Sequence, residues 1–180
     1  QNNQGNTALM LAIQNNKNIE IIQHLCDTFK DEIYINKQNK NGDTAFILAA
    51  QNTNIKILKL ITENFTRYIN VNVQNYNGYT ALMFAAKNTN IALLQLLCQI
   101  YNDNSIDALG QSVDINVQNK NGDTALLIAV RNTNIEVITL LCEKFYNKIN
   151  IYKQNKNGDT VLMIAAQQSN VAIIKLISAK

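Results

Sequence analysis

From Ala45 the chain carries six apolar residues in succession, Ala45-Phe46-Ile47-Leu48-Ala49-Ala50, and then the polar run Gln51-Asn52-Thr53-Asn54. Apolar residues return at Ile55, Ile57, Leu58, Leu60 and Ile61, a stripe wide enough to require burial along one side of a helix. An extended stretch, Ile69-Asn70-Val71-Asn72-Val73-Gln74, then leads to an Asn-Gly pair. Asn-Gly signals a tight turn, because both residues tolerate positive φ. The pattern predicts a short buried helix, a polar break, a second amphipathic helix and a turn.

That unit recurs. Gly5, Gly42, Gly78, Gly122 and Gly158 stand within NQGNTALMLA, KNGDTAFILA, YNGYTALMFA, KNGDTALLIA and KNGDTVLMIA, at separations of 37, 36, 44 and 36 residues. Two positions after each glycine comes a threonine (Thr7, Thr44, Thr80, Thr124, Thr160), whose hydroxyl can accept from free N–H groups at a helix start. One helix pair is too short to bury its own apolar face, so neighbouring units must stack to cover it. The expectation is an all-α solenoid of helix-turn-helix units joined by β-hairpin-like turns. It forms a single array over residues 1–180, with units at about 1–36, 37–72, 73–116, 117–152 and 153–180. The small pairs Ala49-Ala50, Ala85-Ala86 and Ala165-Ala166 suit close packing of the first helices.

The repeat resembles the ankyrin repeat over the whole chain. The matching features are the Gly-x-Thr, the apolar first helix with its alanines, the Asn-Ile opening of the second helix and the Ile/Val-Asn-x-x-Asn run before the next glycine. There are departures. The family's Thr-Pro-Leu-His reads Thr-Ala-Leu-Met at 7–10 and 80–83, and the chain has no proline. Where the family stops its second helix with glycine, this chain has Phe29, Phe65, Tyr101 and Phe145. The second helix is therefore expected to run about one turn longer, with the aromatic ring packed between units. Eight extra residues between Gly78 and Gly122, within 102–114, are expected to lengthen the loop after the third unit's second helix, as a solvated spacer or a functional loop. The segment Gln14–Asn18 reads as a lengthened helix–helix turn.

Composition narrows the function. The net charge is only +3, and charged residues make up 16% of the chain, which disfavours a nucleic-acid footprint. No apolar run is long enough for a membrane span. The abundance of Asn, Ile, Lys and Tyr reads as AT-rich coding sequence rather than as asparagine chemistry. Cys26, Cys98 and Cys142 share one register, where other units have Thr62 and Ser178, and read as small core residues in a reducing, cytoplasmic setting. The chain opens Gln1-Asn2-Asn3, without methionine or a leader, and its last helix stays apolar (Val171, Ile173, Ile174, Leu176, Ile177). It reads as a segment of a longer protein with further repeats.

Catalysis needs converging ionisable groups. The single histidine, His24, stands at a register that is leucine in the other four units, which points to a tolerated substitution in the first unit rather than a general base. Asp43, Asp123 and Asp159 each follow a turn glycine near a lysine and read as solvated tips. No metal constellation, phosphate loop or cofactor site is visible, so neither an enzyme nor a small-molecule binder is expected.

The resemblance implies binding of another protein or peptide at the turn tips and the exposed side of the first helices. Carried across, the contact positions include Lys40 and Asp43 in the second unit. In the third they are Tyr76, Asn77, Tyr79, Lys87 and Asn88, and in the fourth Lys120, Asp123 and Arg131. The fifth unit adds Lys156 and Gln168. Three tips read Lys-Asn-Gly-Asp, whereas the third reads Tyr-Asn-Gly-Tyr. Those tyrosines are either partner anchors, as interface hot spots favour Tyr and Arg, or a feature that selects nothing. The expected role is a scaffold or targeting module of an intracellular regulator, or of an effector that a microbe delivers into a host cell. The alternative is a structural spacer or targeting arm in a larger protein whose enzymatic domain lies elsewhere.

Overall fold

The computed structural model describes residues 1–15, 18–29, 33–88, 90–103 and 113–178, and within them ten helices form five pairs. The first helices are α1 (Ala8–Asn15), α3 (Ala45–Gln51), α5 (Ala81–Lys87), α7 (Ala125–Arg131) and α9 (Val161–Gln167). The second helices are α2 (Ile19–Thr28), α4 (Ile55–Phe65), α6 (Ile91–Asp103), α8 (Ile135–Lys144) and α10 (Val171–Ser178). Each first helix packs on the next first helix, each second helix on the next second helix, and the two layers meet within every pair. The result is the stacked two-layer array that the repeat predicts.

Side-chain caps set where the helices start. Thr44, Thr80, Thr124 and Thr160 accept from the backbone N–H of Ile47, Met83, Leu127 and Met163. Thr7 does the same for Met10 at 3.2 Å. The polar break is more than a break, because its last asparagine caps the second helix. Asn18, Asn54, Asn90, Asn134 and Asn170 accept from Glu20, Lys56, Leu93, Val137 and Ile173. Each such cap contributes about 1 kcal/mol relative to alanine.

The core runs the length of the stack. Ala49, Ala50, Ala85 and Ala86 are fully buried between first helices, and Ala165 with them, whereas Ala166 is exposed. Cys26, Cys98 and Cys142 are buried thiols in the register where Thr62 is also buried. Burial pushes the Cys98 thiol up to about 12, against a weaker opposing pull from Lys144, so it is inert as a nucleophile at neutral pH.

The aromatic stops behave in two ways. Phe65 is the last residue of α4 and Tyr101 lies inside α6, so those helices run through the position. By contrast α2 and α8 end just before Phe29 and Phe145, whose backbone N–H groups bond to the carbonyls of Leu25 and Leu141. Phe65, Tyr101 and Phe145 are buried between units, and the Tyr101 hydroxyl donates to the Val71 carbonyl at 2.7 Å. Phe29, in the first unit, is 42% exposed. The insertion lies outside the described residues, apart from Asn102 and Asp103 in α6 and the 113–114 stretch. The middle of the expected Gln14–Asn18 turn also lies outside them.

Candidate functional site

The turn tips are built by asparagine. In the second unit the Gly42 N–H donates to the Asn39 carbonyl at 2.9 Å, and the Asn39 N–H donates to the Asp43 carbonyl at 3.0 Å. The Asn39 side-chain oxygen accepts from the N–H groups of Asn41 and Asp43, both at 2.9 Å. Asn75, Asn119 and Asn155 repeat the arrangement with Asn77 and Tyr79, Asn121 and Asp123, and Asn157 and Asp159. Asparagine at the first turn position and glycine at the fourth are the preferences of a type I turn. The glycine alone takes positive φ, +78° at Gly42; the asparagine before it does not, contrary to the sequence reading. A Cβ on Gly42 would come within 2.5 Å of the Tyr76 backbone nitrogen, so glycine also permits the close approach of the next unit.

Successive tips are joined in a row. The N–H of Lys40 donates to Gln4, Tyr76 to Asn41, Lys120 to Asn77 and Lys156 to Asn121, all at 2.9–3.0 Å. The hairpin-like turns thus hold register through single backbone bonds, without a strand among the described residues. Glutamines add a second tie. Gln38, Gln74 and Gln118 each donate to their own turn glycine's carbonyl at 2.6 Å and to the next unit's glutamine carbonyl at 2.7–2.9 Å. The polar residues that composition alone suggested were incidental are therefore the chemistry of the inter-unit seam.

Two of the three turn carboxylates are not solvated tips. Asp43 is 5% and Asp123 only 1% exposed. Asp43 accepts from Asn75 Nδ2 of the next unit at 2.9 Å and from Gln51 at 3.3 Å. Burial pushes its carboxyl above the ordinary carboxylate value, and those two hydrogen bonds only partly oppose the shift. Asp123 is held by Arg131 in a bidentate pair, 2.6 Å at each oxygen. In the first unit Asn6 takes the same position, and Asn39 Nδ2 donates to its Oδ1 at 2.8 Å. A relay emerges at Asn39 and Asn75, each of which donates to the polar residue after the preceding unit's glycine, whereas Asn155 donates to Asp159 of its own unit at 3.2 Å. Tyr79 interrupts it: Asn119 Nδ2 is buried with no partner.

The predicted contact residues divide accordingly. Lys40, Tyr76, Asn77, Lys87 and Lys120 are exposed. Tyr79 is half-buried, its ring 5.0 Å from that of Phe84. Asn88 donates to the Ala50 carbonyl at 3.3 Å and so ties two first helices together. The Arg131 side chain is 45% exposed but committed to Asp123, and Asp43 and Asp123 face inward. The row that faces outward is therefore Lys40, Tyr76, Lys120 and Lys156, flanked by Lys87. Sequence reasoning overlooked the roles of Asn39, Asn75, Asn119 and Asn155, although each stands three residues before a turn glycine and the first three end an Ile/Val-Asn-x-x-Asn run. His24 is exposed on α2, within 3.4 Å of the Thr28 hydroxyl.

Stacked helix pairs with capped turns define a repeat solenoid, a class whose members present a continuous surface of turn tips. The model of three successive ankyrin repeats matches residues 29–109 and 100–180, and the single ankyrin repeat matches residues 4–40. The chain belongs to the ankyrin-repeat family. It is similar in structure to EF0377, a crystallised ankyrin repeat protein, with 28% identity, a TM-score of 0.79, and coverage of 99% of this chain and 82% of that one. No curated protein matches it. Among the described residues no helix is long and apolar enough to cross a membrane.

Proposed function

We propose that this chain is a non-catalytic protein-recognition module that reads its partner with the turn-tip row and the ends of the first helices. Ankyrin repeats in general mediate protein–protein interaction, and the fold is typically non-catalytic. The observation that carries the reading here is the division of labour at each tip. Asparagine, glutamine and buried aspartate hold the turns in register, which leaves Lys40, Tyr76, Lys120 and Lys156 exposed in a pre-arranged line. A preorganised backbone loses little entropy on binding, which leaves only the side chains to be ordered. Tyr76 is 57% exposed and close over Gly42, an anchor of the type that dominates interfaces. A scaffold or targeting role in an intracellular protein, or in one delivered to a host cell, is consistent with this surface.

The test is site-specific photo-crosslinking with a benzophenone side chain placed at Tyr76, and separately at Glu136 on α8. A partner captured from the native cell extract at Tyr76 but not at Glu136, and bound less tightly by Tyr76→Ala once purified, is the expected result. Capture at Glu136, or indifference to Tyr76→Ala, would favour a spacer or a different face. Tyr76→Ala is preferred to Tyr79→Ala, because Tyr79 also packs on Phe84.

A further inference from the structure

The exposed charge on the tip row is mainly positive, and the reason is structural. Lys40, Lys87, Lys120 and Lys156 are exposed. The carboxylates nearest them in sequence are withdrawn: Asp43 is buried against Asn75, and Asp123 is buried and neutralised by Arg131. Asp159, partly exposed, is the remaining acid at these turns. The exposed acids of the helices stand elsewhere, on the second-helix layer at Glu20, Asp27, Glu63, Glu136 and Glu143, where Lys56, Lys59, Lys144 and Lys175 balance them. The tip edge of a chain of net charge +3 thus carries four exposed lysines against one partly exposed acid.

The row also has a spacing. Adjacent helix pairs stack about 10 Å apart, and an extended peptide rises about 3.3 Å per residue. Each tip therefore meets every third residue of a strand laid along the array. The row reads Lys40, Tyr76, Lys120, Lys156. Between the Tyr76 and Lys120 tips an open, shallow cleft is lined by Gln74, Tyr76, Gly78, Gln118 and Lys120.

We infer that the tip row receives an extended acidic segment of another protein, with carboxylates opposite Lys40, Lys120 and Lys156 and an aromatic or aliphatic residue opposite Tyr76. Read from the Lys40 end, the segment has acid at positions one, seven and ten and an apolar residue at position four. This rests on the recognition reading above and names the chemistry of its partner. Three tip lysines flanked by Lys87, on a weakly charged chain, suit sparse carboxylates better than the dense charge of a nucleic acid.

The experiment uses the full chain and three fluorescent probes at low ionic strength. One is a ten-residue peptide of that pattern in a Gly/Ser background. The second has the same composition with its acids bunched at one end, and the third is an oligothymidylate of equal charge. The patterned peptide should bind about tenfold tighter than the bunched one, as the summed effect of three exposed ion pairs. Lys120→Glu should weaken it about fivefold, Lys120→Gln by less, and Lys59→Glu on α4 not at all. Equal binding of the two peptides, or an equal effect of Lys59→Glu, overturns the inference. Tighter binding of the oligothymidylate overturns it in favour of nucleic acid. A partner crosslinked at Tyr76 without any acidic-peptide preference would leave the recognition reading standing and defeat this one.

Discussion

Asn75 and Asn119 occupy the same turn position, are buried to the same degree, and differ in one neighbour. Asn75 accepts from two backbone N–H groups and donates to Asp43 at 2.9 Å. Asn119 accepts from two backbone N–H groups, but its Nδ2 is buried without a partner, because Tyr79 stands where the second unit has Asp43. Alanine at either site forfeits two neutral hydrogen bonds, about 2 kcal/mol, and leaves a similar cavity. At Asn75 it also strips a donor from a buried carboxylate, about 1.5–3 kcal/mol more. At Asn119 it instead removes an unsatisfied amide, which returns about 1–3 kcal/mol of desolvation cost. Asn75→Ala should therefore cost about 4 kcal/mol and Asn119→Ala about 1 kcal/mol or less. In melting temperature the two variants should lie roughly 6–12 °C apart for a chain of this size. Circular dichroism under urea and heat measures both, with the m-value checked for loss of cooperativity between units. A double-mutant cycle sharpens the test. Tyr79→Asn supplies the acceptor that Asn6 gives Asn39, and in that background Asn119→Ala should become about 1–3 kcal/mol more costly. Equal costs of the two single variants, or no coupling to position 79, would refute the relay.

Other outcomes follow from the same geometry. Thr133 holds a positive φ of 54° in the turn after α7, so Thr133→Gly should stabilise by about 1 kcal/mol, whereas Thr53→Gly, at the same place after α3 but without positive φ, should destabilise by about 0.5–1 kcal/mol; urea denaturation decides. Asp43 has a folded-state pKa raised by burial, so its contribution to stability is present below about pH 3.9, the unfolded value, and is lost as pH rises through the folded value. Asp43→Asn, which copies Asn6, should accordingly be the more stable form at neutral pH, with the difference closing on acidification; parallel melts across pH would show it. Gly42→Ala should cost several kcal/mol, since its Cβ would meet Tyr76 backbone at 2.5 Å. Gly158→Ala, with nothing within 4 Å, should cost only about 1–2 kcal/mol for the left-handed backbone.

Much of the architecture was legible in the chain because it is local and repeated. The Gly-x-Thr spacing placed every first helix, and the apolar stripes named the buried layer from Ile57 to Ile177. The exposure of Lys40, Tyr76 and Lys120 was readable because they sit at turn tips. The inward-facing Asp43 and Asp123 were misread as solvated, because the groups that bury them belong to other elements: Asn75 comes from the next unit, and Arg131 from the far end of α7. Charge next to charge in sequence says little about which side of a turn a carboxylate takes.

The sharpest division falls on one tripeptide. Asn52-Thr53-Asn54 and Asn132-Thr133-Asn134 are identical, and in both the last asparagine caps the following helix. That much the sequence determined by itself, since a cap needs only the asparagine and the N–H groups just after it. The path between the helices was decided by the stack. After α3 the chain leaves in an extended conformation at Asn52, whose amide reaches back to the Ile13 carbonyl of the first unit at 3.1 Å. After α7 it closes on its own helix instead, with Thr133 left-handed, its N–H bonded to Val130 and that of Asn134 to Ala129. The left-handed path costs Thr133 about 1 kcal/mol of backbone strain, whereas the extended path at Asn52 and Asn88 goes with a hydrogen bond to the preceding unit, which no local sequence reveals.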